Sequence, residues 1–187
     1  MKSINKMKRK ILFASIALLS AVVCQAQLFS TTTGKVSFFS KTPFENIEAE
    51  SKTVLSVMNV TTNEIAIMIT NTSFSFPNKL MEEHFNEKYV ESEKFPKSSF
   101  KGKINEAVDL SKDGEYKVTV TGKLNIHGME QDRTIIGAII VKGGMIEMTA
   151  NFKVKNVDHK IEIPTIITAK ISEEIDVMVD LKLAPKK

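Results

Sequence analysis

Cysteine is nearly absent: the one cysteine, Cys24, falls within the first 26 residues, so the chain beyond it has no thiol and no intramolecular disulfide. Tryptophan is missing and tyrosine occurs twice, whereas the chain has 11 Phe and 9 Met, so its bulk apolar character is flexible or purely hydrocarbon. The longest apolar run, Ile11 to Val23, is well short of the ~20 residues that span a bilayer, which excludes a single-span anchor there. No tract of one charge sign occurs after residue 26, which excludes the electrostatic footprint of a nucleic-acid binder. Repeats, linkers and low-complexity segments are also lacking, so one domain is expected.

The first 26 residues carry Lys2, Lys6, Lys8, Arg9 and Lys10 with no acidic residue, then the apolar run, then Cys24-Gln25-Ala26. A basic start, a short apolar centre and a small-residue exit predict a secretory signal peptide, residues 1–26, cleaved after Ala26. Val23 directly before Cys24 suits lipoprotein processing poorly. The whole chain has 26 Lys+Arg against 22 Asp+Glu, a net of +4; without the five bases above the count is 21 against 22, a net of −1. The basic isoelectric point therefore belongs to the leader. A disulfide-free exported domain of the remaining 161 residues needs a true hydrophobic core, and that length can build one.

Residues 27–187 read as strands. Tyr116, Val118, Val120, Leu124 and Ile126 alternate with Lys117, Thr119, Thr121, Lys123 and Asn125; Ile175 to Leu183 alternates in the same way. Six further strands are expected at Lys35–Ser40, Thr53–Val60, Glu64–Thr70, Ser99–Ile104, Thr134–Val141 and Met145–Val154. Asp113-Gly114 and Gly143-Gly144 stand between apolar runs, where hairpin turns are expected. One helix is expected over Asn78–Tyr89, with Asn78 as its cap and Leu80, Met81, Phe85 and Tyr89 recurring at helical spacing. The pattern predicts an all-β fold with one short helix, an antiparallel barrel or sandwich of about eight strands.

Thr134–Val141 is apolar on both faces, with Ile135, Ile139 and Val141 on one and Ile136, Ala138 and Ile140 on the other. A second apolar face is expected to line a cavity or to be covered by a helix or another chain.

Chemistry-bearing groups are sparse. His84, near Glu83 and Glu87, and His127 lack the spacing of a metal site, so no metal is expected. His127, at the end of the clearest strand, could bond to backbone groups or meet a ligand head group. Asp176 and Asp180 lie on the polar face of their strand. No nucleophile elbow, zinc-protease motif or phosphate loop occurs, and no enzymatic activity is expected.

Two segments carry a family resemblance. Leu80-Met81, His84-Phe85 and Tyr89, followed by Lys94-Phe95-Pro96-Lys97-Ser98-Ser99-Phe100, form the first; Gly122-Lys123-Leu124-Asn125-Ile126-His127-Gly128-Met129 forms the second. Their order and spacing resemble the YceI-like family over residues 33–183. The stretch Phe152–Ile161 has neither the arginine nor the glycine common in the family, and Glu82-Glu83-His84 lacks its usual lead-in, which leaves head-group contacts undefined. The resemblance implies a lipocalin-like barrel, periplasmic or extracellular, with an apolar tunnel that holds a polyisoprenoid such as a quinone tail. That long apolar molecule is the expected partner, with no cofactor otherwise, no nucleic acid and no membrane span in the mature form. Tunnel-lining candidates are Phe74, Phe76, Leu80, Met81, Phe85, Val118, Val120, Leu124, His127, Ile139, Met148 and Phe152. The alternative is a ligand-free interaction scaffold that uses the acidic helix or a sheet edge, with a homodimer as one form.

Overall fold

The computed structural model describes residues 28–164 and 170–186, so the leader and its cleavage site lie outside the described residues. Eight antiparallel strands run β1 (Leu28–Lys41), β2 (Asn46–Asn59), β3 (Glu64–Thr70), β4 (Lys97–Ile104), β5 (Gly114–Ile126), β6 (Met129–Lys142), β7 (Met145–Lys155) and β8 (Glu174–Pro185). Each pairs with the next, and β8 pairs with β1, so the sheet closes as an up-and-down barrel. Closure leaves no open sheet edge among the described strands, which removes the edge surface that the scaffold alternative invoked.

All eight expected strands form, and the differences lie at their ends. β1 and β2 extend beyond the alternating segments because a bulge interrupts their pairing between Thr31 and Val36. On β2 the inward set Ala49 and Ser51 changes phase to Val54, Ser56 and Met58 across the bulge, which hides the strand's first half from a period-two reading. β6 starts at Met129 although Met129–Arg133 is largely polar. Its hydrogen bonds to β5 continue to the hairpin, and Glu130 and Asp132 pair with Lys123 outside the barrel.

Turn chemistry sets the register. His127 and Gly128, at φ 53° and 71°, form the two-residue loop between Ile126 and Met129; Gly143 and Gly144, at 58° and 75°, do the same between Lys142 and Met145. Positive φ at both central residues twists the turn in the same sense as the strands. Asp113-Gly114 is not such a turn: Gly114 is already the first residue of β5, and Asp113 ends the 105–113 loop, accepting a hydrogen bond from the Gly143 N–H at 3.2 Å. Gly102 and Gly122 face each other across β4 and β5, and a Cβ on Gly122 would sit 2.2 Å from the Lys101 carbonyl oxygen. Only glycine permits that approach of the two backbones.

The inward residues fill one end of the barrel. Met58, Ile146 and Leu183 are fully buried there together with Leu110 of the 105–113 loop, which the Tyr116 hydroxyl pins by sharing its proton between the Asp109 and Lys112 carbonyls, each at 3.0 Å. At the opposite end lie the 71–96 connection and segments 156–164 and 170–173. Helix α1 (Lys79–His84) begins there, with Asn78 accepting from the Leu80 N–H at 2.9 Å, as its cap position predicts. Glu82 accepts from the Phe76 N–H at 3.1 Å and pairs with Lys79; that ion pair, then the backbone bond, hold its carboxyl below the usual range. The last expected turn of the helix, Phe85–Tyr89, widens to π geometry, closed by the Val90 N–H on the Phe85 carbonyl at 2.9 Å.

Candidate functional site

Toward the helix-bearing end, alternation along the strands places apolar side chains around a space that the plugged end does not fill. The inner cavity, about 200 Å³, is walled by all strands except β2 and carries no charged side chain among the described residues. Val118, Val120 and Leu124 of β5, Ile139 of β6, and Met148 and Phe152 of β7 line it, as do Phe74 and Phe85. A second cavity of about 360 Å³ adjoins it beneath α1, lined by Phe76, Leu80, Met81 and Phe85, with Glu45, His84 and Lys170 also on its wall. Phe85, Val90, Asn156, Ile161 and Ile175 belong to both walls. Leu80, on the first turn of α1, contributes to the outer cavity yet remains 56% exposed among the described residues.

The polar groups on the inner wall are largely engaged. The buried Asn71 amide donates to the Phe95 carbonyl at 2.7 Å and accepts from the Ser98 hydroxyl at 2.8 Å. Asn156 donates through Nδ2 to the Ser172 carbonyl at 3.0 Å. The wall therefore offers a guest mainly hydrocarbon, and each Å² of apolar guest surface removed from water contributes roughly 25 cal/mol.

His127, alone among the candidates, lines neither cavity. Its Nδ1 donates to the His159 carbonyl at 3.0 Å and its Nε2 meets Glu91 Oε2 at 2.6 Å. The strand-end turn points the ring at the neighbouring loops, so its role here is to bond them. His159 itself is fully buried, with Nδ1 donating to the Met129 carbonyl at 3.1 Å. Burial pushes its pKa below the ordinary value.

Residues outside the sequence-derived set complete the site. Phe38 of β1 faces inward against Phe74, Phe76 and Phe85, with ring centroids 5.3, 5.7 and 5.4 Å away. Alternation of β1 with Val36 and Ser40 could have flagged Phe38. Ile161, Ile163 and Ile171 come from an irregular connection, where no periodicity marks an inward side.

The second apolar face of β6 lines no cavity in the case of Ile136 and Ile140: both point outward, and Ile136 is 72% exposed. No helix among the described residues is long and apolar enough to cross a membrane, and no group of three metal-ligating side chains occurs among them.

A small closed antiparallel barrel with an apolar interior and a helix at one end has a lipocalin-like architecture. The sequence matches the YceI-like domain over residues 10–183, and the chain belongs to that family. The match begins within the stretch read as the leader. Among solved structures, the barrel is similar to a polyisoprenoid binding domain from Saccharophagus degradans implicated in plant cell wall breakdown, with a TM-score of 0.74 and 14% identity over 87% of this chain and 100% of that one. It is also similar to Burkholderia cenocepacia BcnA (TM-score 0.69, 19% identity, 81% and 96% covered) and to a Campylobacter jejuni YCEI protein (0.55, 20%, 72% and 80%). At these identities the likeness is one of fold. No curated protein matches the sequence.

Proposed function

We propose that the protein is an exported lipid carrier that sequesters or transports a polyisoprenoid or similar long apolar molecule inside its barrel. One observation carries the reading: an inner cavity with no charged side chain among the described residues adjoins, across shared wall residues, a larger cavity at the barrel's helix-bearing end. Such a space rewards a long hydrocarbon and gives a polar metabolite few partners. Among the described residues, the ionisable groups Glu45, His84 and Lys170 stand on the wall of the outer cavity, where a head group would remain. A polyisoprenoid is the favoured class because a structural relative is a polyisoprenoid binding domain. Export rests on the leader-like first 26 residues. The protein acts by binding, without catalysis and without a resident cofactor.

The test is mass spectrometry of solvent extracts from the protein purified without detergent from its native envelope. A stoichiometric isoprenoid or quinone is the expected result. Protein that is lipid-free, and stays so after incubation with quinones and polyprenols, would refute the reading. A second reading, a contact surface for another copy of the chain, is favoured by one feature, the exposed outer row of Ile136 and Ile140. A dimer by sedimentation that Ile136→Lys dissolves would support it.

A further inference from the structure

Four phenylalanine rings meet where the two cavities adjoin. Phe38, Phe74 and Phe85 line the inner cavity, and Phe76 and Phe85 the outer one. Phe85 touches all three others, at 5.4 Å from Phe38 with the planes 28° apart, 5.5 Å from Phe74 and 5.2 Å from Phe76. The supports of these rings differ. Phe38 stands on β1, hydrogen-bonded on both sides, opposite Ala49 of β2 and Val177 of β8. Phe85 opens the widened turn that follows α1, a helix with no buried residue. Movement of that turn displaces Phe85 without breaking the barrel ladder, whereas Phe38 is fixed to the wall.

We propose that Phe85 is the residue that determines which chain length this protein accepts, closing the inner cavity from the outer one by stacking on Phe38. This rests on the lipid-carrier reading above. A short isoprenoid fits on one side of the ring cluster. A long one must run through it, and so must replace the contacts that Phe85 makes with three rings. The gain in affinity with each added isoprene unit should therefore fall at the length that reaches Phe85. Trimming that ring should remove the break, and enlarging it should sharpen it.

The experiment measures the affinity of the mature protein for farnesol, geranylgeraniol and solanesol, in wild type, Phe85→Ala and Phe85→Trp. Relative to farnesol, solanesol should bind about tenfold tighter to Phe85→Ala than to wild type, the equivalent of two or three lost ring contacts. Phe85→Trp should shift the ratio the other way. Phe85→Leu, which keeps an apolar filler, serves if the alanine variant does not fold. Parallel length dependences in wild type and folded variants would overturn the gate while leaving the carrier reading intact. Wild-type protein that binds none of the three prenols would overturn both.

Discussion

His127 Nε2 lies 2.6 Å from Glu91 Oε2, joining the β5–β6 hairpin to the segment that leaves the helix. Phe95 packs edge-on against the same imidazole, with centroids 4.6 Å apart, beneath the Lys94 ammonium. Glu91 has φ 46°, a conformation that costs a non-glycine residue energy, and its carbonyl accepts from the Lys94 and Phe95 N–H groups at 2.9 and 2.8 Å. The pair thus holds a strained corner under the helix. His127→Ala should lower stability by about 2 kcal/mol, because the His159 carbonyl loses its donor and Glu91 loses its ring partner. In a double-mutant cycle with Glu91→Ala, thermal unfolding should reveal a coupling of about 1 kcal/mol; additive effects would argue that the contact does not hold the corner.

Gly128 makes a second prediction independent of hydrogen bonding. It has φ 71°, and a Cβ there would lie 2.5 Å from the Phe95 ring. Gly128→Ala should cost about 2 kcal/mol from backbone strain and displacement of that ring, lowering Tm by roughly 4–8 °C for a domain of this size. Gly143→Ala serves as the comparison. It shares the positive φ but would meet nothing within 4 Å, so its smaller loss would isolate the steric part.

The two faces of β6 and the inner wall of β5 can be separated by charge. Ile139 is 1% exposed, Val120 and Leu124 are buried, and Ile136 is exposed. Ile139→Lys, Val120→Glu or Leu124→Glu should cost on the order of 3–5 kcal/mol through an unpaired buried charge, or abolish folding. Ile136→Lys should change stability by less than about 0.5 kcal/mol. Denaturant unfolding measures all four, and unchanged stability and lipid content in the Val120 and Leu124 variants would contradict the wall assignment.

His159 supplies a pH dependence. Burial first, with a smaller contribution from the Arg133 charge, lowers its pKa below 6.5, opposed by backbone acceptors and Asp158. Above pH 6.5 the ring is neutral in folded and unfolded chains alike. As pH falls below 6.5 the unfolded chain takes up the proton first, so stability should fall until the folded-state pKa is passed. Thermal unfolding between about pH 7.5 and pH 5 should show a slope that weakens in His159→Gln. Equal slopes in the two proteins would assign the effect to other groups.

The strands were legible in the sequence wherever one face is buried and the other wet; their closure into a barrel was implied only by the family resemblance. β5 and β8 could be read residue by residue, Asn78 marked the start of α1, and the paired glycines at 143 and 144 marked the β6–β7 turn. The first halves of β1 and β2 were not legible, because a bulge reverses the inward phase midway. Nor was the inward side of β6. Ile135 and Ile139 look no different from Ile136 and Ile140 until pairing with β5 fixes the register, for a one-residue slip exchanges the two faces.

What the sequence by itself determined was local and periodic: the disulfide-free core, eight strands, one helix, and the two segments that carry the family likeness. Only the tertiary structure decided what those segments do to each other. Residues 91–95 and the turn at 127–128 are far apart in the chain and come together because β4 and β5 are neighbours in the closed sheet. The same closure moved His127 from candidate ligand contact to bond between loops, and brought Phe38, Phe74, Phe76 and Phe85 to one point between two cavities. Alternation tells a side chain only that it faces inward. Which inward residues meet, and what space they leave, depends on how the strands curve around one another.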